Sequence, residues 1–363
     1  MSNESKREVI VTRCPVSGAS ELVYQTGWLE EAYKKLNAEI VLLQSLDPSL
    51  RSLHTTQKPP LAFRDGGNVP PIWSHSKGTD TLLIGLSAVK QSHAIIVAPD
   101  SDIRTIEDLR GKRLALPARK DDSLINAMRA MALRGYLTVL DAAGISRDEV
   151  TFVDSYPDEE LERPHRFMGI KGTSDEQPKI EDNYVPTHMG DMKALKEGKI
   201  DAFFSHRSLV YQVISRGYGK ILIDIADSNL PKVNNIYPSA ITVDRGFAEK
   251  NRDLVVAYLK ELLKASDWET THQDEAIRLG TGGQFGAEYE HIKASRPEGW
   301  DERFRPSLDK DLVEMIRQQK DFLLREGFIE NDFALDKWID ASFLDEAEEE
   351  LRREKALELE HVS

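Results

Sequence analysis

The segment SDIRTIEDLRGKRLAL, residues 101–116, predicts a turn that leads to a short helix and then to a strand. Gly111 is expected to stop that helix, because glycine commonly ends helices in the left-handed conformation. The segment MKALKEGKIDAFF, residues 192–204, predicts a short helix, a glycine turn at Gly198 and a strand. Both segments therefore predict a helix that passes directly into a strand.

The beginning of the chain repeats this alternation. Val9 lies in a short apolar strand, an amphipathic helix is expected over about 20–36, and AEIVLL at 38–43 reads as a second strand. This βαβ order favours an α/β fold with a mixed or parallel sheet. Proline is well tolerated in a first helical turn, so Pro70-Pro71 predicts the start of a helix. Further strands are expected at 81–86 and 93–98, and further helices at 124–143, 248–279 and 308–326.

Length and charge limit the classes of function. A chain of 363 residues usually divides into two domains. The net charge of -14, from 48 basic and 62 acidic residues, argues against nucleic acid or an anionic membrane as the main partner. A local basic pocket for a small anion remains compatible with it. We see neither an apolar signal-peptide region nor a run of about 18 to 20 apolar residues, so we expect a soluble, cytoplasmic protein.

Two segments lack a clear periodicity. Residues 155–188 mix proline, glycine and charge, as an exposed insertion does, and such a segment near an active cleft acts as a lid or is disordered. Residues 346–363 are highly charged and are expected to form a solvated helix or a frayed tail.

Cys14 is the only cysteine of the chain and follows the first strand in the sequence Thr12-Arg13-Cys14-Pro15. A sole cysteine forms no intramolecular disulfide, so it is a reactive thiol, a small buried apolar residue or an accident of composition. One cysteine and the absence of a His-x₃-His pair argue against a zinc site. The chain also lacks the glycine-rich motifs of nucleotide-binding loops. We therefore expect no metal and no cofactor.

A second cluster of polar residues begins about forty positions later. His54, Arg64 and Gly66-Gly67 bring a base, a guanidinium and a glycine turn into one short segment. The histidine is either a structural group or the partner of the thiol, and the glycine pair is either an ordinary turn or an anion site. Trp73 lies just beyond the proline pair, where it either packs in the core or faces a ligand.

The segments at 101–116 and 192–204 resemble the type II periplasmic-binding-protein fold, in particular its sulfonate and nitrate binders. The resemblance implies two α/β lobes with a ligand cleft between them. Crossings near Pro99 and near 229–237 would give a discontinuous first lobe, residues 1–99 plus 235–345, and a second lobe, residues 100–234. Residues 346–363 would then form the charged C-terminal tail.

Cys14-Pro15, His54, Arg64, Gly66-Gly67 and Pro70-Pro71 occur in the order that is found in the aromatic sulfinate desulfinases, which the chain resembles. These enzymes act on 2'-hydroxybiphenyl-2-sulfinate in dibenzothiophene desulfurisation. The resemblance implies that Cys14, His54 and Arg64 are catalytic and that Gly67 contacts the oxyanion. It returns at 281–287, at 335–338 and at Phe343-Leu344, and so extends over nearly the whole chain.

The chain departs from that family after residues 201–205, where the family has tryptophans in its substrate pocket. Here His206, Arg207 and Ser208 follow Ser205. Polar side chains in place of an aromatic wall would suit a more polar or more anionic substrate. The substrate-binding residues that we expect are Arg64, Gly66, Gly67, Trp73, Ser205 and His206.

The resemblance implies a cofactor-free hydrolase that cleaves the carbon-sulfur bond of an aromatic sulfinate and releases sulfite. Cys14 would act either as the nucleophile or as the proton donor. The alternative is a non-catalytic binding protein for a sulfonate or similar organic anion in an ABC importer. Pyrimidine-precursor enzymes of the same fold rely on a cysteine-rich arrangement, which this chain lacks. The expected partner is a small anion, with no nucleic acid, membrane or obligatory protein partner.

Overall fold

The computed structural model describes residues 6–12, 18–120, 122–156, 189–281 and 287–362. Its strands are β1 (Arg7–Thr12), β2 (Ala38–Leu42), β3 (Leu61–Gly66), β4 (Thr81–Ser87), β5 (His93–Val97), β6 (Arg113–Pro117), β7 (Thr151–Ser155), β8 (Ala202–His206), β9 (Lys220–Asp224) and β10 (Ser239–Asp244). Short 3-10 turns occur at 43–45, 48–52, 106–109 and 147–149. The predicted helix at 101–116 is the third of these turns.

The helices are α1 (Ala19–Thr26), α2 (Trp28–Lys35), α3 (Leu53–Thr56), α4 (Val69–Ser76), α5 (Ala127–Ala142), α6 (Met189–Lys196), α7 (Ser208–Ser215), α8 (Arg245–Lys250), α9 (Arg252–Glu269), α10 (Gln273–Leu279), α11 (Tyr289–Ala294), α12 (Lys310–Arg325), α13 (Leu335–Trp338) and α14 (Ser342–Val362). The single helix predicted over 20–36 is two helices. Gly27 separates them with a φ of 79°, a conformation that glycine adopts at little cost.

The chain divides into two compact units. Unit 1 comprises residues 1–89, 235–279 and 301–363, and unit 2 comprises residues 90–234 and 280–300.

Unit 1 contains a five-stranded sheet in the order β2-β1-β3-β10-β4. Strand β1 is parallel to β2 and β3, whereas β10 is antiparallel to β3 and β4. The long helix α9 packs against α1, α2 and α14. Parallel neighbouring strands end at the same edge of a sheet, so the carboxyl ends of β1 and β3 lie next to each other.

Unit 2 contains a second five-stranded sheet in the order β7-β6-β8-β5-β9. Strand β6 is parallel to β7 and β8, and β5 is antiparallel to β8 and β9. Its apolar core includes Phe203 on β8 and three residues of α7, Leu209, Val210 and Val213. The α/β fold class that the sequence predicts is therefore observed in both units.

The predicted lobe boundaries remain a prediction, and the sheet pairing differs from them in one strand. His93–Val97 was expected in the first lobe but forms β5, in the middle of the sheet of unit 2. Residues 280–300 also belong to unit 2 rather than to the first lobe. The sequence of an apolar strand does not indicate which sheet the strand joins, because strand pairing depends on residues that are distant in the chain.

The C-terminal segment is a docked helix, not a frayed tail. Ala347 and Leu351 of α14, spaced four residues apart, are buried. Lys260 of α9 donates hydrogen bonds to Glu350 and Glu354 at 2.7 Å each. An apolar stripe and a row of ion pairs therefore fix this charged helix along α9.

Candidate active site

The site begins at the shared edge of β1 and β3. Thr12, the last residue of β1, is the register partner of Arg64 in β3. Cys14 follows Thr12 by two positions, and residues 13–17 lie outside the described residues. Thr12, the last described residue before Cys14, is therefore the neighbour of Arg64 across the two strands.

Arg64 is buried, with 2% of its surface exposed. Its Nε donates a hydrogen bond to the backbone oxygen of His54 at 3.0 Å, and its Nη1 donates to the backbone oxygen of Gly67 at 2.8 Å. The guanidinium thus ties helix α3 to the glycine turn. A guanidinium has five N–H donors, and these two bonds use two of them.

His54 lies on α3, and its Nδ1 is 2.7 Å from Oγ1 of Thr12. The same hydroxyl accepts a hydrogen bond from Nε2 of Gln44 at 3.0 Å. Burial of the ring, and secondarily the charge of Arg64, lower the pKa of His54 to about 3, although the residue as a whole is only partly buried. The imidazole is therefore neutral near pH 7, and Arg64 is the cation of this cluster.

The glycine turn approaches the side chain of Asn235 closely. A Cβ on Gly67 would lie 2.7 Å from Oδ1 and 2.8 Å from Nδ2 of Asn235, so only glycine fits without a shift. The N–H of buried Gly67 has no hydrogen-bond acceptor within the described ranges. Gly66 is the last residue of β3 and pairs with Ala240. A buried donor without an acceptor is costly, which makes the Gly67 N–H a candidate for binding an oxyanion.

Helix α4 begins next to this turn, at the position that Pro70-Pro71 predicts. Its first N–H, that of Val69, donates to Oδ1 of Asn235 at 2.9 Å. The two prolines have no N–H, so the first turn of α4 offers no free donor to an anion. Trp73 is buried on this helix, and Nζ of Lys77 lies 4.9 Å from the centre of its ring. Its predicted contact with substrate remains a prediction.

Asp65 is a buried carboxylate that the sequence analysis did not single out. It follows Arg64 in β3, so its side chain points to the opposite face of the sheet. Burial raises the pKa of Asp65, while hydrogen bonds from the side chain and backbone of Ser20, and the charge of Arg64, lower it. Asp65 therefore holds the first turn of α1, which follows the segment that carries Cys14. The sequence feature that could have identified Asp65 is the pair of charged residues within the otherwise apolar strand LAFRDG.

The structure brings His54, Arg64, Gly66 and Gly67 together within unit 1. Two further predicted substrate-binding residues, Ser205 and His206, end β8 in unit 2, and both are buried. His206 is the register partner of His93 in β5. Most of the predicted lid lies outside the described residues, as do residues 282–286 of the segment 281–287, and no structure is assigned to either.

The described residues contain no group of three or more His, Cys, Asp or Glu side chains that could hold a metal ion. No helix among them has the length and apolar character needed to cross a membrane.

The comparisons with known proteins extend over most of the chain. It is 24% identical to 2'-hydroxybiphenyl-2-sulfinate desulfinase of Rhodococcus erythropolis, over 92% of this chain and 91% of that protein. The crystal structure of the desulfurization enzyme DSZB covers 95% of this chain and 99% of its own, with a TM-score of 0.73 and 21% identity. The chain has the fold of that enzyme.

This fold is also that of the sulfonate-binding proteins. The periplasmic aliphatic sulphonate binding protein SsuA from Escherichia coli matches with a TM-score of 0.63 and 17% identity, over 92% of each chain. The type II periplasmic-binding-protein-like fold and the similarity to the desulfinase, both predicted from the sequence, are confirmed. No protein-family model matches the chain.

A variant of DSZB in which a cysteine is replaced by serine was solved with biphenyl-2-sulfinic acid bound. It matches this chain with the same TM-score of 0.73.

Proposed function

We propose that this protein is a desulfinase that hydrolyses the carbon-sulfur bond of an aromatic sulfinate and releases sulfite. The observation that carries the proposal is the buried Arg64 beside a neutral His54, at the strand edge from which the chain runs to Cys14. The similarity to a desulfinase over 92% of the chain supports it. The substrate is a small aromatic sulfinate, and neither metal nor cofactor takes part.

The net reaction is that of an aryl sulfinate with water to give the arene and hydrogen sulfite. The ring carbon gains a proton, and the sulfur gains the oxygen of water as the carbon-sulfur bond breaks. A sulfinate spreads one negative charge over two oxygens, which the planar guanidinium of Arg64 suits. The N–H of Gly67 supplies a second donor in a region where no Cβ intervenes.

Cys14 supplies the chemistry in either of two ways. As a nucleophile, its thiolate bonds to the sulfinate sulfur while the carbon-sulfur bond breaks and the ring carbon takes up a proton, and water then displaces the thiol from the sulfur to give hydrogen sulfite. As an acid, the thiol protonates the ring carbon while water adds to the sulfur and the carbon-sulfur bond breaks, and the thiolate regains a proton from that water. Neutral His54 does not lower the pKa of a thiol by charge, so among the described residues of this cluster Arg64 is the cation that would do so in the free protein.

Substrate binding changes the state of His54 in this proposal. An anion about 4 Å from the imidazole would favour its protonated form by about 4 kcal/mol at an effective dielectric constant of 20. The pKa of His54 would therefore rise in the complex. His54 would then exchange a proton with Cys14 near neutral pH.

The test is sulfite release from 2'-hydroxybiphenyl-2-sulfinate and a panel of other aryl sulfinates. Release of sulfite with an equal amount of the desulfinated arene supports the proposal. The Arg64→Lys variant keeps the charge but not the two-pronged geometry, and we expect it to bind sulfinate at least tenfold more weakly. If no member of the panel yields sulfite, the proposal fails.

The second candidate is a non-catalytic binding protein for an organic sulfonate, and the match to SsuA favours it. In that case Arg64 and Gly67 hold the anion without reaction. Tight sulfonate binding by calorimetry, with no turnover of any sulfinate, would select this function.

The desulfinase proposal places the protein in the cytoplasm, without an obligatory protein partner. Cell fractionation tests the location directly, since an importer component would be recovered outside the cytoplasmic membrane.

A further inference from the structure

Helix α3, which carries His54, is a single turn of four residues. Such a short helix is not stable by itself in water, because the first helical turn is unfavourable to form. The position of α3 therefore depends on bonds to other elements. Nε of Arg64 donates to the backbone oxygen of His54, and Oγ1 of Thr79 donates to the backbone oxygen of Thr56 at 3.2 Å. Gln57, the residue that ends the helix, supplies a third attachment.

The backbone of Gln57 is left-handed, with a φ of 52° and a ψ of 30°. This conformation costs a residue with a Cβ about 1 to 2 kcal/mol, and glycine is the usual residue where a helix ends in this way. The N–H of Gln57 donates to the backbone oxygen of Leu53 at 2.9 Å, a bond that glycine would make equally well. The backbone therefore gives no reason for a glutamine at this position.

The side chain of Gln57 joins α3 to two other elements. Its Nε2 donates to Oγ of Ser74 on α4 at 3.2 Å, and its Oε1 accepts from Oγ1 of Thr242 on β10 at 2.5 Å. Gln57 is 3% exposed and both partners are 1% exposed. Thr242 is the register partner of Arg64, and its Oγ1 lies 3.4 Å from the backbone oxygen of Arg64. One buried amide thus fixes the end of α3 to α4 and to the strand beside Arg64.

His54 and Gln57 belong to the same helical turn, so a movement of its end also moves the imidazole. Nδ1 of His54 is 2.7 Å from Oγ1 of Thr12. A hydrogen bond is lost when the two atoms are about 3.6 Å apart, so a displacement of the ring by about 1 Å breaks this contact. The attachment of Gln57 therefore controls where the imidazole of His54 lies.

We propose that Gln57 is a positioning residue that holds His54 in the orientation needed for proton exchange with Cys14. Gln57 acts only through His54 and does not itself contact the substrate. Its effect on turnover rests on the proposed desulfinase function, whereas its effect on the imidazole does not.

The first experiment measures kcat and KM for sulfite release in Gln57→Ala and Gln57→Gly. Both variants lack the amide, but only glycine suits the left-handed backbone. We expect kcat to fall about 10- to 100-fold in both, because a displacement of about 1 Å costs up to about 100-fold in rate. KM stays within about threefold of the wild-type value, since Arg64 keeps its hydrogen bond to Gly67. Wild-type kcat in Gln57→Gly would overturn the proposal, because the backbone alone would then position α3.

Gln319→Ala is the matched control in unit 1. Gln319 is 0% exposed on α12, and neither Nε2 nor Oε1 has a hydrogen-bond partner among the described residues. We expect this variant to keep the wild-type kcat, and a loss equal to that of Gln57→Ala would overturn a specific role of Gln57.

Thr242→Val tests the connection to β10, because valine keeps the shape of the side chain without the hydroxyl. We expect it to lower kcat in the wild type and to add little in Gln57→Ala, since both substitutions break the same bond. Equal losses in the two backgrounds would overturn the connection between Gln57 and Thr242.

A further measurement does not depend on turnover. Nitrogen NMR of the imidazoles, with His54→Gln to assign the signal, follows the protonation of His54. Burial and the charge of Arg64 lower the pKa of His54 to about 3 in the wild type, so the ring stays neutral between about pH 5 and 8. We expect Gln57→Ala to admit water to the ring and to move this pKa towards the usual 6.5.

The two readouts separate this proposal from the proposed function. If His54 stays neutral over this pH range in Gln57→Ala, the positioning role is overturned whether or not the protein releases sulfite. A changed titration of His54, with no sulfite released from any compound by the wild type, would retain the positioning role and reject the desulfinase.

Discussion

Replacing Gly67 by alanine tests the close approach that shapes the candidate active site. The added Cβ would lie between 2.7 and 2.9 Å from three atoms of the Asn235 side chain. Asn235 would have to move, and its Oδ1 would then no longer accept the N–H of Val69 at the start of α4. The clash and the lost cap act on the same helix.

The size of the effect follows from these two losses. A lost helix cap costs about 1 kcal/mol and overpacking a tight contact costs about 1 to 3 kcal/mol. Alanine also restricts the conformations of the unfolded chain, which stabilises the folded protein by about 0.4 to 1 kcal/mol. We therefore expect Gly67→Ala to lower the free energy of unfolding by about 2 to 3 kcal/mol, as measured by urea denaturation.

A double-mutant cycle with Asn235→Ala isolates the contact. Once the Asn235 side chain is absent, Gly67→Ala has nothing to displace and costs little, so the two substitutions are strongly non-additive. Gly246→Ala is the matched control in unit 1, because its Cβ would meet Asp244 at an ordinary 3.4 Å. An equal loss of stability from Gly67→Ala in both backgrounds, or no loss in the wild type, would refute the reasoning.

Two further predictions concern stability. His93 has a pKa of about 4 in the folded protein and about 6.5 in the unfolded protein, so the unfolded state takes up a proton first as the pH falls and stability is lost. In urea denaturation between pH 6.5 and 4, we expect His93→Gln to reduce this loss of stability by about 1.4 kcal/mol per pH unit. Equal slopes of stability against pH for the two proteins would contradict this. Leu351→Ala in α14 should lower the free energy of unfolding by about 2 to 4 kcal/mol, whereas Leu359→Ala, at a position that is 73% exposed, should leave it almost unchanged. Similar losses of stability for both variants would mean that α14 is not docked on α9.

Local features of the sequence predicted the parts of the fold that depend on neighbouring residues. Pro70-Pro71 predicted the start of α4, and the βαβ order predicted the parallel pairing of β1 and β2. The cluster of His54, Arg64 and the glycine pair is also local, because a span of fourteen residues contains it.

Features that depend on distant residues were not predictable in the same way. The sheet that β5 joins and the docking of α14 on α9 depend on partners far along the chain. The role of Asp65 at the start of α1 requires knowledge that β3 and α1 meet. The left-handed backbone of Gln57 also could not be foreseen, since sequence rules assign such a conformation to glycine.

The most direct test of the account compares Cys14→Ser with the wild type, with sulfite release and sulfinate affinity measured on the same preparations. Serine keeps the size of the side chain but is a far weaker acid and nucleophile. We expect Cys14→Ser to release no sulfite, while its affinity for sulfinate stays within about threefold of that of the wild type. Sulfite release by Cys14→Ser at the wild-type rate would contradict the central claim, because the thiol would then take no part in the reaction.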